Sequence, residues 1–187
     1  MAATDKGFPI TGKSIYLRKV RPEDVNEDYH GWMNNPEVNR YMETRFTSQT
    51  MDEIRSYVAK MADKADEIFL AICLKDGDRH IGNIKLGPIN KFHHFAYISL
   101  FIGEKSYWGK GIATEAISLV KDFAFEKLGL HRLMAGCYAD NVSSARAFEK
   151  AGFQREGLEK EKWLCEGKYV DGLLLGAVNK KMKTVGR

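Results

Sequence analysis

The stretch Tyr107-Trp108-Gly109-Lys110-Gly111-Ile112-Ala113-Thr114-Glu115-Ala116 has the residue types of a phosphate-binding turn. Its two glycines remove β-carbons where the chain turns, so a ligand can approach the backbone closely. The N–H groups that open the following helix have no intrahelical partners and lie at the positive end of its dipole. Anionic oxygens bind at such a place. Two familiar phosphate loops do not fit. A Walker A loop needs a glycine five residues before Gly109 and Ser or Thr after Lys110, and the chain supplies neither. The dinucleotide fingerprint G-x-G-x-x-G finds Gly109 and Gly111, but Thr114 stands at its third glycine. What remains is x-x-x-G-x-[GA], filled by Trp108 through Ala113.

Other residues able to do chemistry are scattered. The segment from Trp32 to Phe46 is aromatic and polar at once, with Trp32, Asn34, Asn35, Glu37, Asn39, Tyr41, Glu43 and Arg45. Glu37 and Glu43 are carboxylates that could hold a cationic amine. Asn141 and Ser144 open a short helical stretch downstream. Cys73, Cys137 and Cys165 are odd in number and widely spaced, which argues against a disulfide framework and a zinc site. His93 and His94, adjacent in an extended chain, point to opposite faces and have no evident third ligand. No metal is expected.

Elements must position these groups. Phe95–Ile102 is apolar on both faces and predicts a central strand buried on two sides. Ala113, Ala116, Ile117, Val120, Phe123, Ala124 and Leu128 form one helical stripe after the glycine turn. Residues 1–12 are polar and glycine-containing, which predicts a flexible arm. Ser14–Val20 alternates as a strand, and Arg21-Pro22-Glu23-Asp24 opens a helix carrying Val25, Tyr29, Trp32 and Met33 inward. That helix breaks at Asn34-Asn35-Pro36. A second follows Ser48-Gln49-Thr50 with Ile54, Tyr57, Val58 and Met61 as its stripe. Ile68–Leu74 and Ile81–Leu86 form a hairpin around Asp76-Gly77. Leu133–Tyr138 is the next strand, and Asn141 caps a short helix that Gly152 ends. Two last strands, 155–163 and 168–178, meet at Glu166-Gly167.

The whole chain sets the class. Its 187 residues predict one domain spanning 1–187 with a full core, and 44% apolar and 29% charged residues are ordinary for a soluble globular protein. The net charge of +4 comes without long Lys/Arg runs, so no nucleic-acid partner is expected. No stretch approaches about 18 continuous apolar residues, and no signal-peptide pattern opens the chain, so no membrane partner and a cytoplasmic location are expected.

Strand, glycine turn and helix are followed by Asn-x-x-Ser-x-x-x-x-x-Lys-x-Gly-Phe, here Asn141, Ser144, Lys150, Gly152 and Phe153. Together these motifs resemble the acetyl-CoA signature of the GNAT N-acetyltransferase superfamily, over roughly Ser14 to Lys180. The wording Tyr-Trp-Gly-Lys-Gly-Ile-Ala-Thr-Glu-Ala is similar to the branch of ribosomal-protein N-terminal alanine acetyltransferases, and to spermidine and amino-sugar acetyltransferases. The resemblance implies a mixed α/β (α+β) single domain. Its mostly antiparallel sheet of about seven strands would splay open in a V and carry about four flanking helices. Acetyl-CoA would lie in the V as co-substrate. The resemblance also implies that the backbone of Leu100, Phe101 and Ile102 pairs with its pantetheine arm. Trp108, Gly109, Lys110, Gly111, Ile112, Ala113 and Thr114 would hold the pyrophosphate, with Asn141 against the pantetheine from the other side. Many relatives carry Arg or Gln where Trp108 stands, which removes a side-chain phosphate contact but not the loop.

The chemistry then needs an acid and a base. A lysine-like amine with pKa about 10.4 lies ~3.4 units above neutral pH, a deprotonation cost of about 4.6 kcal/mol, whereas a protein α-amine starts about one unit away. A base therefore matters more for a polyamine than for an N-terminus. By family position, Ser144 is the candidate to protonate the leaving thiolate; local hydrogen bonding at the helix start is its other role. Many relatives have a glutamate on the central strand where this chain has Tyr97, so Tyr97 through water, Glu104 or Glu43 are the candidate bases. Trp32, Glu37, Glu43 and Asp171 are the candidate substrate contacts, with a fold-stabilising hydrogen bond as the alternative for Asp171. The expected activity is acetyl transfer to a primary amine by direct attack within a ternary complex. No cysteine in the motifs offers a covalent route. The acceptor would be a small polar amine, such as an amino sugar or polyamine, or a protein N-terminus. The alternative is a non-catalytic acyl-CoA-binding or sensor module. A monomer or homodimer is expected.

Overall fold

The computed structural model describes residues 7–182. Its strands are β1 (Ile10–Thr11), β2 (Ile15–Lys19), β3 (Ile68–Leu74), β4 (His80–Leu86), β5 (Phe95–Ile102), β6 (Arg132–Tyr138), β7 (Gln154–Cys165) and β8 (Lys168–Val178). They form one sheet in the order β1-β2-β3-β4-β5-β6-β8-β7. Every neighbouring pair is antiparallel except β5 and β6. The helices are α1 (Glu27–Asn34), α2 (Pro36–Asn39), α3 (Met51–Ala62), α4 (Ile112–Glu126) and α5 (Val142–Lys150). The mixed, mostly antiparallel α/β architecture expected from the sequence is the one observed, with an additional strand and an additional helix.

Both additions have local causes. β1 falls inside the segment expected to be a loose arm. Ile10 pairs with Leu17 and Thr11 with Tyr16, and Phe8 packs its ring 5.2 Å from that of Phe123. Residues 1–6 of that arm lie outside the described residues. α2 exists because Asn35 accepts a hydrogen bond from the Glu37 N–H while Pro36 supplies a preset φ at the first helical position. The first long helix starts later than expected. Pro22–Asp24 makes only a 3₁₀ turn, Val25 is extended, and Asn26 caps a fresh start through the Tyr29 N–H. A bidentate Arg18–Asp24 pair, both bonds 2.7 Å, anchors that turn to β2.

Helices cover both faces of the sheet. On one face α4 and α5 pack Ile112, Ala116, Ile117, Val120, Ala145 and Phe148 onto strand residues such as Ile84, Ile98, Leu133 and Leu175. On the other, α1 and α3 pack Tyr29, Trp32, Met33, Ile54 and Val58 onto Ala71 and Cys73. The stripe predicted for α4 shifts at its ends: Leu128 lies beyond the helix and is exposed, and Leu130 is buried instead. β5 is not buried on both sides. Ala96 and Ile98 are buried against α4, whereas Tyr97 and Ser99 face outward and are exposed.

The topology leaves an opening in the middle of the sheet. β5 and β6 pair only through Phe95–Arg132, Ala96–Leu133 and Tyr97–Met134. β5 then continues to Ile102 held by β4 alone, and β6 continues to Tyr138 held by β8 alone. The two strands part beyond Tyr97 and Met134.

Candidate active site

The parted edge of β5 carries backbone groups that no strand uses. In an antiparallel pair, alternate residues turn both their N–H and C=O to the partner. The Gly87 N–H donates to the Tyr97 carbonyl and the Gly103 N–H to Ile81. Tyr97, Ser99 and Phe101 therefore spend their backbone groups on β4, while Leu100 and Ile102 turn theirs to the opening. The Trp108 indole donates to the Ile102 carbonyl at 2.8 Å and takes that acceptor. The Leu100 N–H and C=O and the Ile102 N–H stay available to a bound strand-like ligand. Phe101, expected to join them, is turned the wrong way by register, and its side chain packs with Tyr29 and Trp32.

The glycine turn lies just after this edge. A 3₁₀ turn, Lys105–Tyr107, leads to Trp108, and α4 begins after Gly111. Gly109 and Gly111 have φ of 72° and 82°, a region that L side chains rarely adopt, and a β-carbon on either would meet open space. Glycine is required there by backbone conformation, and the cradle it leaves is empty of protein atoms. Gly111 occupies the N-cap of α4 without a capping side chain, so the first N–H groups of α4 keep their hydrogen-bonding capacity. Ile112 buries its side chain and offers only its N–H. Ala113 and Thr114 are half-buried in the same turn, and Lys110 sets its ammonium 5.1 Å above the Tyr107 ring. These residues fit an acyl-CoA: an uncapped helix end for phosphates beside a free strand edge for an amide-bearing arm.

Across the opening, β6 ends at Tyr138 and α5 begins. Asn141 uses its Oδ1 to cap α5 through the Ser144 N–H at 3.2 Å, and its amide N–H₂ donates to no described residue. The Cys137 thiol near the end of β6 is buried, and burial raises its pKa against a lowering pull from Ser144. Tyr97 stands where β5 and β6 part, nearly half exposed, with its ring edge-on to Phe95.

Several expected site residues are committed elsewhere. Glu104 accepts from the Ser106 N–H and hydroxyl and pairs with Arg79. Those bonds, the backbone one first, hold its carboxyl below the ordinary range and commit it to capping the Lys105–Tyr107 turn. Trp32 is buried, packed between His80 and Phe101. Its indole fills the space a β-carbon on Gly103 would need, so it belongs to the core and not to a substrate wall. Asp171 accepts from Lys160 and from the Glu161 N–H, both at 2.9 Å, and so fixes a bulge in β7. Glu37 is neutralised by Lys105 at 2.8 Å. Glu43 is exposed at the start of a 3₁₀ turn, Glu43–Phe46.

That turn joins Tyr41 and Arg45, named in the sequence only as part of the segment from Trp32 to Phe46, to distant partners. Arg45 donates from Nη2 to the Tyr138 hydroxyl and to the Leu164 carbonyl, both at 2.7 Å, and from Nη1 to the Met42 carbonyl at 3.0 Å. Tyr138 stacks on Trp163 at 4.6 Å, and Tyr41 lies 5.2 Å from Tyr138 on another side. Arg40 pairs with Glu166 in the β7–β8 turn. Residues 40–46 thus reach from the α1–α3 side of the opening to the far hairpin. Among the described residues, no group of three or more His, Cys, Asp or Glu could hold a metal ion, and no helix is long and apolar enough to cross a membrane.

Comparison with known proteins matches this geometry. The model of the GNAT acetyltransferase domain matches residues 14–154. The probable N-acetyltransferase YjcK of Bacillus subtilis (strain 168) is 32% identical over 181 residues, covering 91% of this chain and 97% of that one. The spermidine N(1)-acetyltransferase of Escherichia coli (strain K12) is 29% identical over 156 residues, covering 83% and 81%. Among solved structures, spermidine N-acetyltransferase from Vibrio cholerae in complex with CoA and spermine superposes with a TM-score of 0.81. It covers 92% of this chain and 100% of that one, and at 23% identity it shows the fold alone.

Proposed function

The chain belongs to the GNAT acetyltransferase family, and from that premise we propose that it moves acetyl from acetyl-CoA to the primary amine of a small acceptor. The observation that carries the reading is the free edge of Leu100 and Ile102 running into the uncapped, glycine-shaped start of α4. An extended arm with an amide backbone suits the edge, and a pyrophosphate suits the helix start. Donor N–H groups aimed at the thioester carbonyl would stabilise the oxygen as it gains charge.

The reaction is direct. The amine nitrogen bonds to the acetyl carbon, the carbon–sulfur bond breaks, CoA leaves as thiolate, and the new amide nitrogen loses a proton. Ser144 is the proton donor to the sulfur. Its backbone N–H is held by the Asn141 cap, which fixes where the hydroxyl starts from. With Glu104 tied to Ser106 and Arg79, the acceptor's proton leaves through water beside Tyr97. A small acceptor fits better than a folded polypeptide, because residues 40–46 bridge the acceptor side through Arg40–Glu166 and Arg45–Leu164. We further propose a single-domain protein of the cytoplasm, a monomer or homodimer, consistent with three free, buried cysteines.

Calorimetric titration with acetyl-CoA tests the donor site. Wild-type protein is expected to bind, and Gly111→Asp to lose binding, because the substitution forces a side chain onto a positive φ and sets a carboxylate where the pyrophosphate would lie. Unchanged affinity in a folded Gly111→Asp protein would remove this loop from the site.

A further inference from the structure

We propose that the acceptor amine carries an anionic group, a carboxylate or a phosphate, and that Arg45 recognises it. This rests on the reading of the opening as an acetyl-transfer site. It also goes against a polycationic acceptor for this chain.

The argument begins with the face on which the residues lie. Tyr97 pairs in register with Met134, so the side chains of Met134 and Tyr138 share the face of Tyr97 and Ser99, with Gly136 between them. Trp163 reaches that face because Gly136 and Gly172 present no side chain; a β-carbon on Gly172 would stand 3.0 Å from the indole. Tyr41, Tyr138 and Trp163 then form an aromatic wall at the end of β6. Arg45 lies against this wall, with its guanidinium carbon 4.2 Å from the Phe46 ring centre and 5.2 Å from that of Tyr138.

The charges of the neighbourhood are mostly matched, and that of Arg45 is not. Arg40 pairs with Glu166 and Lys105 with Glu37. Arg45 has no ion-pair partner among the described residues. All three of its hydrogen bonds go to neutral oxygens: two main-chain carbonyls and a phenol. A guanidinium has five N–H groups; Nη2 spends both of its own and Nη1 one, so the Nε–H and one Nη1–H remain as single donors. The three bonds fix the guanidinium in place while leaving its charge whole, which suits attraction of a carboxylate or phosphate. The carboxylates that would serve a polyamine are poorly placed. Glu37 is neutralised, Glu43 is exposed, and Asp140 acts on Tyr41 from the exposed turn after β6.

Matched acceptors test this with the full chain and acetyl-CoA. The pairs are glucosamine against glucosamine 6-phosphate, and phenylalaninamide against phenylalanine, with spermidine beside them. The anionic member of one pair is expected to have a kcat/KM ~10–100-fold above its partner, the range of a hydrogen bond to a charged group. Which pair shows it separates phosphate from carboxylate. Arg45→Met should erase that preference and raise spermidine relative to the anion; Arg45→Lys should restore part of it. Equal rates within both pairs, spermidine as the best acceptor, or an equal loss for every acceptor in Arg45→Met would overturn the assignment. Should Arg45→Met not fold, the wild-type pairs still decide. Acetyl-CoA binding without acetylation of any amine would overturn the acetyl-transfer reading and this inference with it.

Discussion

Ser144 is the residue whose side chain carries most of the proposed chemistry, and its place is set through the backbone: its N–H closes the Asn141 cap at 3.2 Å. Because the cap uses the backbone, Ser144→Ala should leave α5 intact. It is expected to lower kcat by about 10²-fold or more, as loss of a general acid does, with acetyl-CoA affinity kept in calorimetry. An unchanged kcat would leave the hydroxyl a purely structural group. Trp32 makes the opposite forecast. Buried beside Phe101 and His80, it should cost about 3–5 kcal/mol of stability in urea unfolding when replaced by alanine. A substrate-wall residue would instead raise KM and leave stability within about 0.5 kcal/mol. Asn141 and the two glycines were legible in the sequence because their roles are local: a cap closes over three residues, and a positive φ belongs to one. Arg45 was named there only within the aromatic and polar segment from Trp32 to Phe46; its partners Tyr138 and Leu164 are far along the chain, and no local pattern announces them.

At the scale of elements, the packing of α1 on β4 has a pH signature. His80 stands edge-on to Tyr29 and Trp32, with ring centres 5.6 and 5.3 Å away, and its Nε2 bonds the Gly82 carbonyl at 2.9 Å. Burial, the largest influence, drives its pKa below the ordinary imidazole value, against opposing pulls from Asp24, Gly82 and Asn83. The folded protein therefore refuses a proton that the unfolded chain accepts, and stability falls as pH drops below about 6.5. Tm should decline on acidification from about pH 7.5 to pH 5.5, and His80→Gln should flatten the decline. Identical slopes for both proteins would contradict the assignment. Asp24 is also shifted, held low by Arg18 against its burial, but its stability is lost only below the ordinary carboxylate range, outside that window. Strand and helix positions were largely legible, since β3, β5 and β8 follow apolar runs and α3 follows its Thr50–Glu53 capping box. The late start of α1 was not. Acids after Pro22 satisfy a 3₁₀ turn as well as a helix, and the Arg18–Asp24 pair that chooses between them lies across two elements.

For the whole molecule, the proposed function rests on one departure from sheet regularity: two parallel strands pair over three residues and then separate, which leaves the β5 edge free beside the uncapped start of α4. The apolar run of β5 predicted a strand buried on two sides but not that one of its faces would stay exposed, because burial is decided by where β6 turns away. The most direct test of acetyl transfer is release of free thiol from acetyl-CoA, run from about pH 6 to 9 with N-terminal Ser and Ala peptides, spermidine and amino-sugar nucleotides as acceptors. The account predicts thiol release that depends on a small amine, with one acetyl group gained per thiol by mass. Tight acetyl-CoA binding with no amine-dependent release would contradict it and leave a module that binds acyl-CoA without turning it over.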